Sequence, residues 1–289
     1  MPEVSLAICI YRERDLLQRL LTHSRGCYAD LAVVHDGPDV ADVRSVVEGH
    51  GGRFFEQPRR FQQEPHWPFL WQKAQHDWVL RWDADEYPGD ELRQWLQTFR
   101  AAPEPPADVS GYTCSWPLWD GHRARTTRWP RRVMLVHRQR IRYFGMADQE
   151  PIPDGRFEPL DLVLHHRPER KSYGIRYTLA RPKVRRWHIE IARSLLGKPT
   201  DLPCWRWDDP AWPRKWEEIR RRPLTTGLKR LVSSPLGNAR EMVQHGEVPR
   251  PSLLVTFPLQ HFMTCLAYHR LRAERRRLGK RGLETRPLA

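Results

Sequence analysis

Hydrophobic positions divide the chain into stretches of different texture. Val4 to Ile10 is a nearly unbroken apolar run, which predicts a strand buried on both faces. Leu16, Leu17, Leu20 and Leu21 then recur at helical spacing behind Glu13 and Asp15, acids that suit a helix start. Leu31 to Val34 predicts a second buried strand, closed by the turn signal His35-Asp36-Gly37-Pro38. Val40, Val43, Val46 and Val47 mark a second helix, and Gly51-Gly52 ends it before a third strand at Arg53 to Gln57. A fourth strand, Trp78 to Trp82, runs into Asp83-Ala84-Asp85-Glu86, and Leu92, Trp95, Leu96 and Phe99 share one face of the next helix. Strands alternating with helices at this pitch predict an α/β fold, a mainly parallel sheet flanked by helices.

The pattern changes after Pro103-Glu104-Pro105-Pro106. Ser110 to Pro117, Val133 to His137, Ile141 to Phe144 and Leu160 to His165 read as strands with longer connections, an α+β half joined to the α/β half. From Ser172 the texture is helical: Tyr173, Tyr177, Ala180, Val184, Trp187, Ile191 and Leu195 step by threes and fours, and Pro182 is expected to kink or divide that helix. A Trp- and Pro-rich stretch, Pro203 to Trp216, leads to a basic C-terminal helix. The boundaries expected are therefore a domain at 1–171, with halves 1–102 and 103–171, and a helical, basic extension at 172–289.

Composition narrows the class. With 39% apolar and 10% aromatic residues in 289, the chain is that of a folded protein. No apolar run reaches the roughly 18 to 20 residues that span a bilayer. The N-terminus has no basic leader region or cleavage site, so the expected location is cytoplasmic. Cys9, Cys27, Cys114, Cys204 and Cys265 are scattered singly, as reduced thiols are, and fit neither a disulfide frame nor a zinc site. The formal net charge of +14 favours an anionic partner: nucleotide phosphates, nucleic acid or acidic lipid. Along the tail, Leu259, Phe262, Met263, Leu266 and Ala267 form an apolar face leading into Arg270, Arg272, Arg275, Arg276, Arg277, Lys280 and Arg281. That face reads as a contact with anionic membrane, as a nucleic-acid surface, or as a docked helix with a solvated end.

Parallel sheets bind ligands where strand carboxyl ends and helix N-termini converge. Glu13, Asp36 and Asp83-x-Asp85 fall at three such ends. With 17 Asp in the chain, about one D-x-D arises by chance, so its position and not its pattern carries the signal. Two Asp flanking a small residue suit a hard divalent cation that keeps its waters and bridges phosphates. The competing reading is a helix N-cap by Asp85 or Asp90. There is no G-x-G-x-x-G, P-loop, H-E-x-x-H or G-x-S-x-G.

The stretches V-S-L-A-I-C-I-Y-R-E-R-D-L-L, L-A-V-V-H-D-G-P-D and W-V-L-R-W-D-A-D-E-Y-P, in that order, resemble the inverting family-2 glycosyltransferases. The likeness covers roughly residues 3 to 100 well and 101 to 171 loosely. It implies a GT-A type, Rossmann-like catalytic domain at 1–171 that uses a nucleotide-diphospho-sugar, a UDP-sugar foremost. By that resemblance Tyr11 and Glu13 line the base and ribose pocket, Asp36 accepts a hydrogen bond from the base, and Asp83 and Asp85 hold Mn2+ or Mg2+ on the diphosphate. Two departures stand out: His35 replaces the first of two adjacent acids, and Arg12-Glu13 replaces Asn-Glu. Sugar transfer with inversion needs one general base, and the family's placement of it leaves Asp148 and Glu150 as candidates, Asp148 ahead. His165-His166 closes the strand from Leu160 and reads either as an added metal or diphosphate contact, through His165, or as a structural or solvated pair; Arg167, Arg170 and Lys171 read as cations near the leaving group or as a solvated basic loop. Trp67, Trp71, Trp116 and Trp119 either stack on sugar rings or pack the sheet. The acceptor expected is a saccharide or lipid-linked saccharide of an envelope polymer or lipopolysaccharide. The rivals are an acceptor base in nucleic acid and a catalytically silent binding module.

Overall fold

Val4–Ile10 forms β1, and its nearly unbroken apolar run serves two cores, Leu6 and Ile8 facing one and Ala7 the other. The computed structural model describes residues 1–169, 171 and 173–279. Arg170, Lys280 and Arg281 lie outside the described residues. After β1 come α1 (Arg14–His23), β2 (Asp30–Asp36), α2 (Val43–Gly49), β3 (Arg53–Gln57), α3 (Trp67–Lys73), β4 (Trp78–Arg81), β5 (Glu86–Pro88) and α4 (Asp90–Ala101). The second half adds β6 (Val109–Ser115), β7 (Arg131–His137), β8 (Ile141–Phe144), β9 (Ile152–Pro153) and β10 (Arg156–His166). One eight-stranded sheet has the order β3-β2-β1-β4-β7-β6-β10-β5. The pairs β2–β3, β1–β2, β1–β4 and β6–β10 are parallel, whereas β7 runs antiparallel to both its neighbours and β5 to β10. A small second sheet joins β8 to β9 and to β11 (Cys204–Trp205).

The chain divides into two compact units, Met1–Ser172 with Pro203–Trp207 and His245–Glu247, and Tyr173–Leu202 with Asp208–Gln244 and Val248–Ala289. In the first, the helical spacing of leucines in α1 buries Leu16, Leu17, Leu20 and Leu21, and α4 buries Leu92, Leu96 and Phe99. Three expectations are corrected. Val40 is exposed and precedes α2. Gly89, with no side-chain cap, begins α4, so neither Asp85 nor Asp90 caps it. Trp67 and Trp71 are fully buried in the core on the far side of the sheet, 6.2 Å apart and stacked, which removes Trp67 from any sugar surface.

The second unit is helical: α5 (Ile175–Ala180), α6 (Pro182–Ser194), α7 (Arg214–Arg221), α8 (Pro223–Gln244), α9 (Pro251–Leu254) and α10 (Thr256–Leu278). Pro182 does divide the first helical run. The α10 residues read as a membrane face, Leu259, Phe262, Met263, Leu266 and Ala267, are half-buried on a helix that packs on α8 and α6. No helix among the described residues is long and apolar enough to cross a membrane.

Two glycines test the packing with opposite signs. A Cβ on Gly111 in β6 would lie 2.3 Å from the carbonyl oxygen of Leu135, which belongs to a fixed backbone. Gly111→Ala is expected to cost about 1–3 kcal/mol in urea unfolding. Gly237, on the exposed side of α8 with nothing within 4 Å, should gain about 0.5–1 kcal/mol as Ala. Equal effects at the two positions would contradict the packing described.

Candidate active site

The strand order places the ends of β1 and β4 side by side at the point where the winding of the sheet reverses, the position at which open α/β sheets form a crevice. Tyr11 and Glu13 follow β1. The Glu13 carboxylate accepts hydrogen bonds from the backbone N–H groups of Tyr11 (3.1 Å) and Arg12 (2.9 Å), so it fixes the turn ahead of α1. The Arg59 guanidinium lies over the Tyr11 ring at 3.8 Å and over Phe61 at 4.4 Å, and donates to the Tyr11 hydroxyl. This stacked edge, with Phe61 at φ 60°, was not legible in the sequence.

Asp36 ends β2. Its carboxylate accepts from His66 Nε2 (2.9 Å) and from the backbone N–H groups of Arg60 and Phe61. Burial pushes its pKa up, but the hydrogen bonds from His66, Arg60 and Phe61 outweigh that and hold it below the usual carboxylate range. Asp36 thereby shapes the segment that carries Arg59 and Phe61. Gly37 follows at φ +100°, and a Cβ there would sit 3.2 Å from the Arg59 Cβ. His35 is fully buried, with Nδ1 2.7 Å from the Gly37 carbonyl oxygen.

After β4 the side chains form a closed network. Arg132, from the start of β7, donates to Asp83 Oδ2 at 2.9 Å and also to Glu86. Trp116, following β6, donates its Nε1 to Glu86, and its ring stacks on His166 at 3.8 Å. His166 Nε2 stands 3.5 Å from Asp85 Oδ2. The register explains the meeting, because β10 runs antiparallel to β5 with His166 opposite Glu86. Burial raises the Asp83 pKa, yet the adjacent Arg132 guanidinium more than offsets this and keeps the acid ionised. Glu86 is pushed the other way, by burial and, despite Arg132, by the charges of Asp83 and Asp85.

This donor set fits a hard cation. Two carboxylates, Asp83 and Glu86, share one guanidinium, Asp85 stands beside them against His166, and Asp83 Oδ1 is buried with no hydrogen-bond partner among the described residues. No group of three or more His, Cys, Asp or Glu side chains among the described residues is arranged to hold a metal by itself. A cation here would be held by Asp83 and Asp85 together with water and phosphate oxygens, a pattern usual for Mg2+. The histidine beside Asp85 is His166. His165, its neighbour on the strand, points to the opposite side, its Nε2 3.3 Å from where a Cβ on Gly89 would be, and this corrects the expectation of His165 as a ligand.

The second acidic group lies on the loop after β8. Asp148 is exposed at φ 60°, and its backbone N–H donates to Glu64 Oε1 at 3.3 Å. Glu64 is a buried carboxyl whose pKa burial pushes up. Both Glu150 oxygens face Arg81, a buried residue of β4 lying 5.4 Å over the Trp67 ring. Trp119 is half-buried, with the Arg167 guanidinium 5.9 Å over its ring. Sequence reading gave no role to Arg59, Phe61, Glu64, Arg81, Glu86 and Arg132, and of the pair His165-His166 it chose the first. The pair Arg131-Arg132 opening an apolar strand was a usable signal, since alternation sends only one of the two to the acids. Arg131 turns instead to the Thr113 and Leu160 carbonyl oxygens.

No protein-family model matches the chain, and no curated protein does. Among solved structures, the chain is similar to the mannosyltransferase PcManGT from Pyrobaculum calidifontis in complex with GDP-Man and Mn2+, at 14% identity and a TM-score of 0.45, over 96% of this chain and 88% of that one. It is similar to S. aureus TarS 1-349 at 12% identity and a TM-score of 0.39, over 94% and 92% of the two chains. Against another S. aureus TarS structure the values are 13% and 0.38, with 67% of this chain covered and 40% of the TarS chain.

Proposed function

We propose that this chain is a metal-dependent, inverting glycosyltransferase that moves a sugar from a nucleotide-diphospho-sugar to a hydroxyl of a saccharide or lipid-linked saccharide. The observation that carries the reading is the cluster at the junction of β1 and β4, where Asp83, Asp85 and Glu86 outnumber Arg132 and Asp83 Oδ1 lacks a partner among the described residues. When bound, Mn2+ or Mg2+ neutralises charge on the departing diphosphate. The rest is assigned to the protein. Tyr11, backed by Arg59 and Phe61, offers an aromatic edge for the base. Asp36 and Glu13 act on the nucleotide through the backbone segments they hold. Trp116, bonded to Glu86, and Trp119, under the Arg167 guanidinium, are assigned to a sugar ring. Asp148 and Glu150 are both exposed, and Asp148 is assigned as the general base ahead of Glu150 because the Glu150 carboxylate is the ion-pair partner of the buried Arg81.

Calorimetry with UDP, GDP, CMP and dTDP, with and without Mn2+, tests the donor site. Metal-dependent binding of one nucleotide, lost in Asp85→Ala, is the expected result. A well-folded protein that binds none of the four would end this reading.

A further inference from the structure

Among the described residues of the second unit, the longest regular run of exposed large apolar side chains is on α8. Leu224, Leu228, Val232 and Leu236 follow one another at every fourth position, and Val243 continues the line two turns on. Val232 and Leu236 are each 74% exposed, and Leu228 55%. The stripe from Leu224 to Leu236 runs about 18 Å along the helix. Lys229 and Arg240 stand exposed along its edge. The opposite side of α8 is committed to packing, for a Cβ on Gly227 would meet Cys265 and Phe262 of α10 at about 3 Å.

Charge follows the same unit. Its sequence holds 24 Lys and Arg against 9 Asp and Glu, whereas the first unit holds 25 against 26. The whole positive surplus of the chain therefore belongs to the unit that exposes the stripe. A cleft of about 460 Å3 within it is lined by Arg220, Arg221, Arg272, Arg275 and Arg276 with Glu217. A carboxylate partner, Glu217, is shared by Arg220 and Arg221, and Arg276 has no ion pair among the described residues.

We propose that α8 is a membrane-docking helix, lying in the plane of an anionic lipid surface. Leu228, Val232 and Leu236 enter the boundary between headgroups and acyl chains, and Lys229 and Arg240 meet lipid phosphates. Both features of the unit are then used. A second copy covering the stripe with its own α8 would bring two strongly positive units together. Nucleic acid would satisfy the charge and leave the aliphatic side chains in water.

Flotation of the full chain with vesicles tests this without donor, metal or turnover, so its outcome is independent of the transferase reading. The chain is expected to float with an equimolar mixture of phosphatidylglycerol and phosphatidylcholine and not with phosphatidylcholine alone, and to be released as salt rises. Val232→Asp with Leu236→Asp should lower the bound fraction at least about tenfold, since two aliphatic side chains no longer partition. Lys229→Glu with Arg240→Glu leaves the stripe intact and should lower it about tenfold by charge alone. Val40→Asp, at a 65% exposed position of the first unit, should float like the wild type. Equal flotation with neutral and anionic vesicles would overturn the proposal, as would wild-type flotation by both double variants. A wild-type dimer that Val232→Asp with Leu236→Asp dissociates would assign the stripe to a second copy and also overturn it.

Discussion

Asp148→Asn is expected to lower turnover by about 10²- to 10⁴-fold, the range associated with losing a general base, while nucleotide affinity by calorimetry stays near wild type. The substitution is a clean probe of the side chain because Asn accepts a left-handed backbone at least as readily as Asp, and residue 148 sits at φ 60°. The protein should therefore fold and present an amide in place of the carboxylate. Glu150→Gln is expected to behave differently. Its carboxylate is the partner of Arg81, whose guanidinium is buried. Removing the charge leaves that guanidinium with a weaker acceptor and costs about 1–3 kcal/mol in unfolding, the lower part of the range being favoured because Glu150 is half-exposed. Turnover of folded Glu150→Gln should fall less than about tenfold. If the two variants exchanged these phenotypes, the base would be Glu150. If both turned over at the wild-type rate, the base would lie elsewhere in the crevice.

The backbone was far more legible in the sequence than the site. Val4 to Ile10 and Trp78 to Leu80 carry apolar residues on both faces, so their pattern located the strands, and the acids that follow them had to fall at strand ends. The shortest strands escaped for a physical reason: β5 is three residues long and β9 and β11 two each, below the length at which alternation can be recognised. The consequences were local. Without β5, nothing showed that Glu86 lies opposite His166 or that the useful histidine of His165-His166 is the second. The partners of the acids, Arg132, Arg81 and His66, arrive from positions 30 or more residues away in sequence, and only the tertiary fold brings them in. Trp67 and Trp116 show the same limit: both read as stacking candidates, and burial alone separates a core tryptophan from one bonded to the acid cluster.

Arg132→Met is the most demanding test of that cluster, and its expected effect on stability is about 3–5 kcal/mol, the cost of leaving buried acids without the guanidinium they share. Met keeps much of the arginine stem's volume beside Trp116, over which Arg132 lies at 5.7 Å, so little of the loss should come from a cavity. Adding Glu86→Gln should return about 1–2 kcal/mol as coupling, because the Arg132–Glu86 contact is then lost once and not twice while the amide oxygen still accepts from Trp116. Urea unfolding of the four chains gives that coupling directly. The same variant discriminates a cation site from an ordinary ion pair. In the wild type the guanidinium already offsets part of the acids' charge, and a divalent ion must share Asp83 with it. In Arg132→Met the ion meets a more negative site, so saturating Mn2+ should raise the melting temperature of the variant by more than that of the wild type. Equal shifts in the two proteins would mean that the cation does not bind at Asp83, and loss of stability below about 1 kcal/mol would mean that the acids are not held by Arg132.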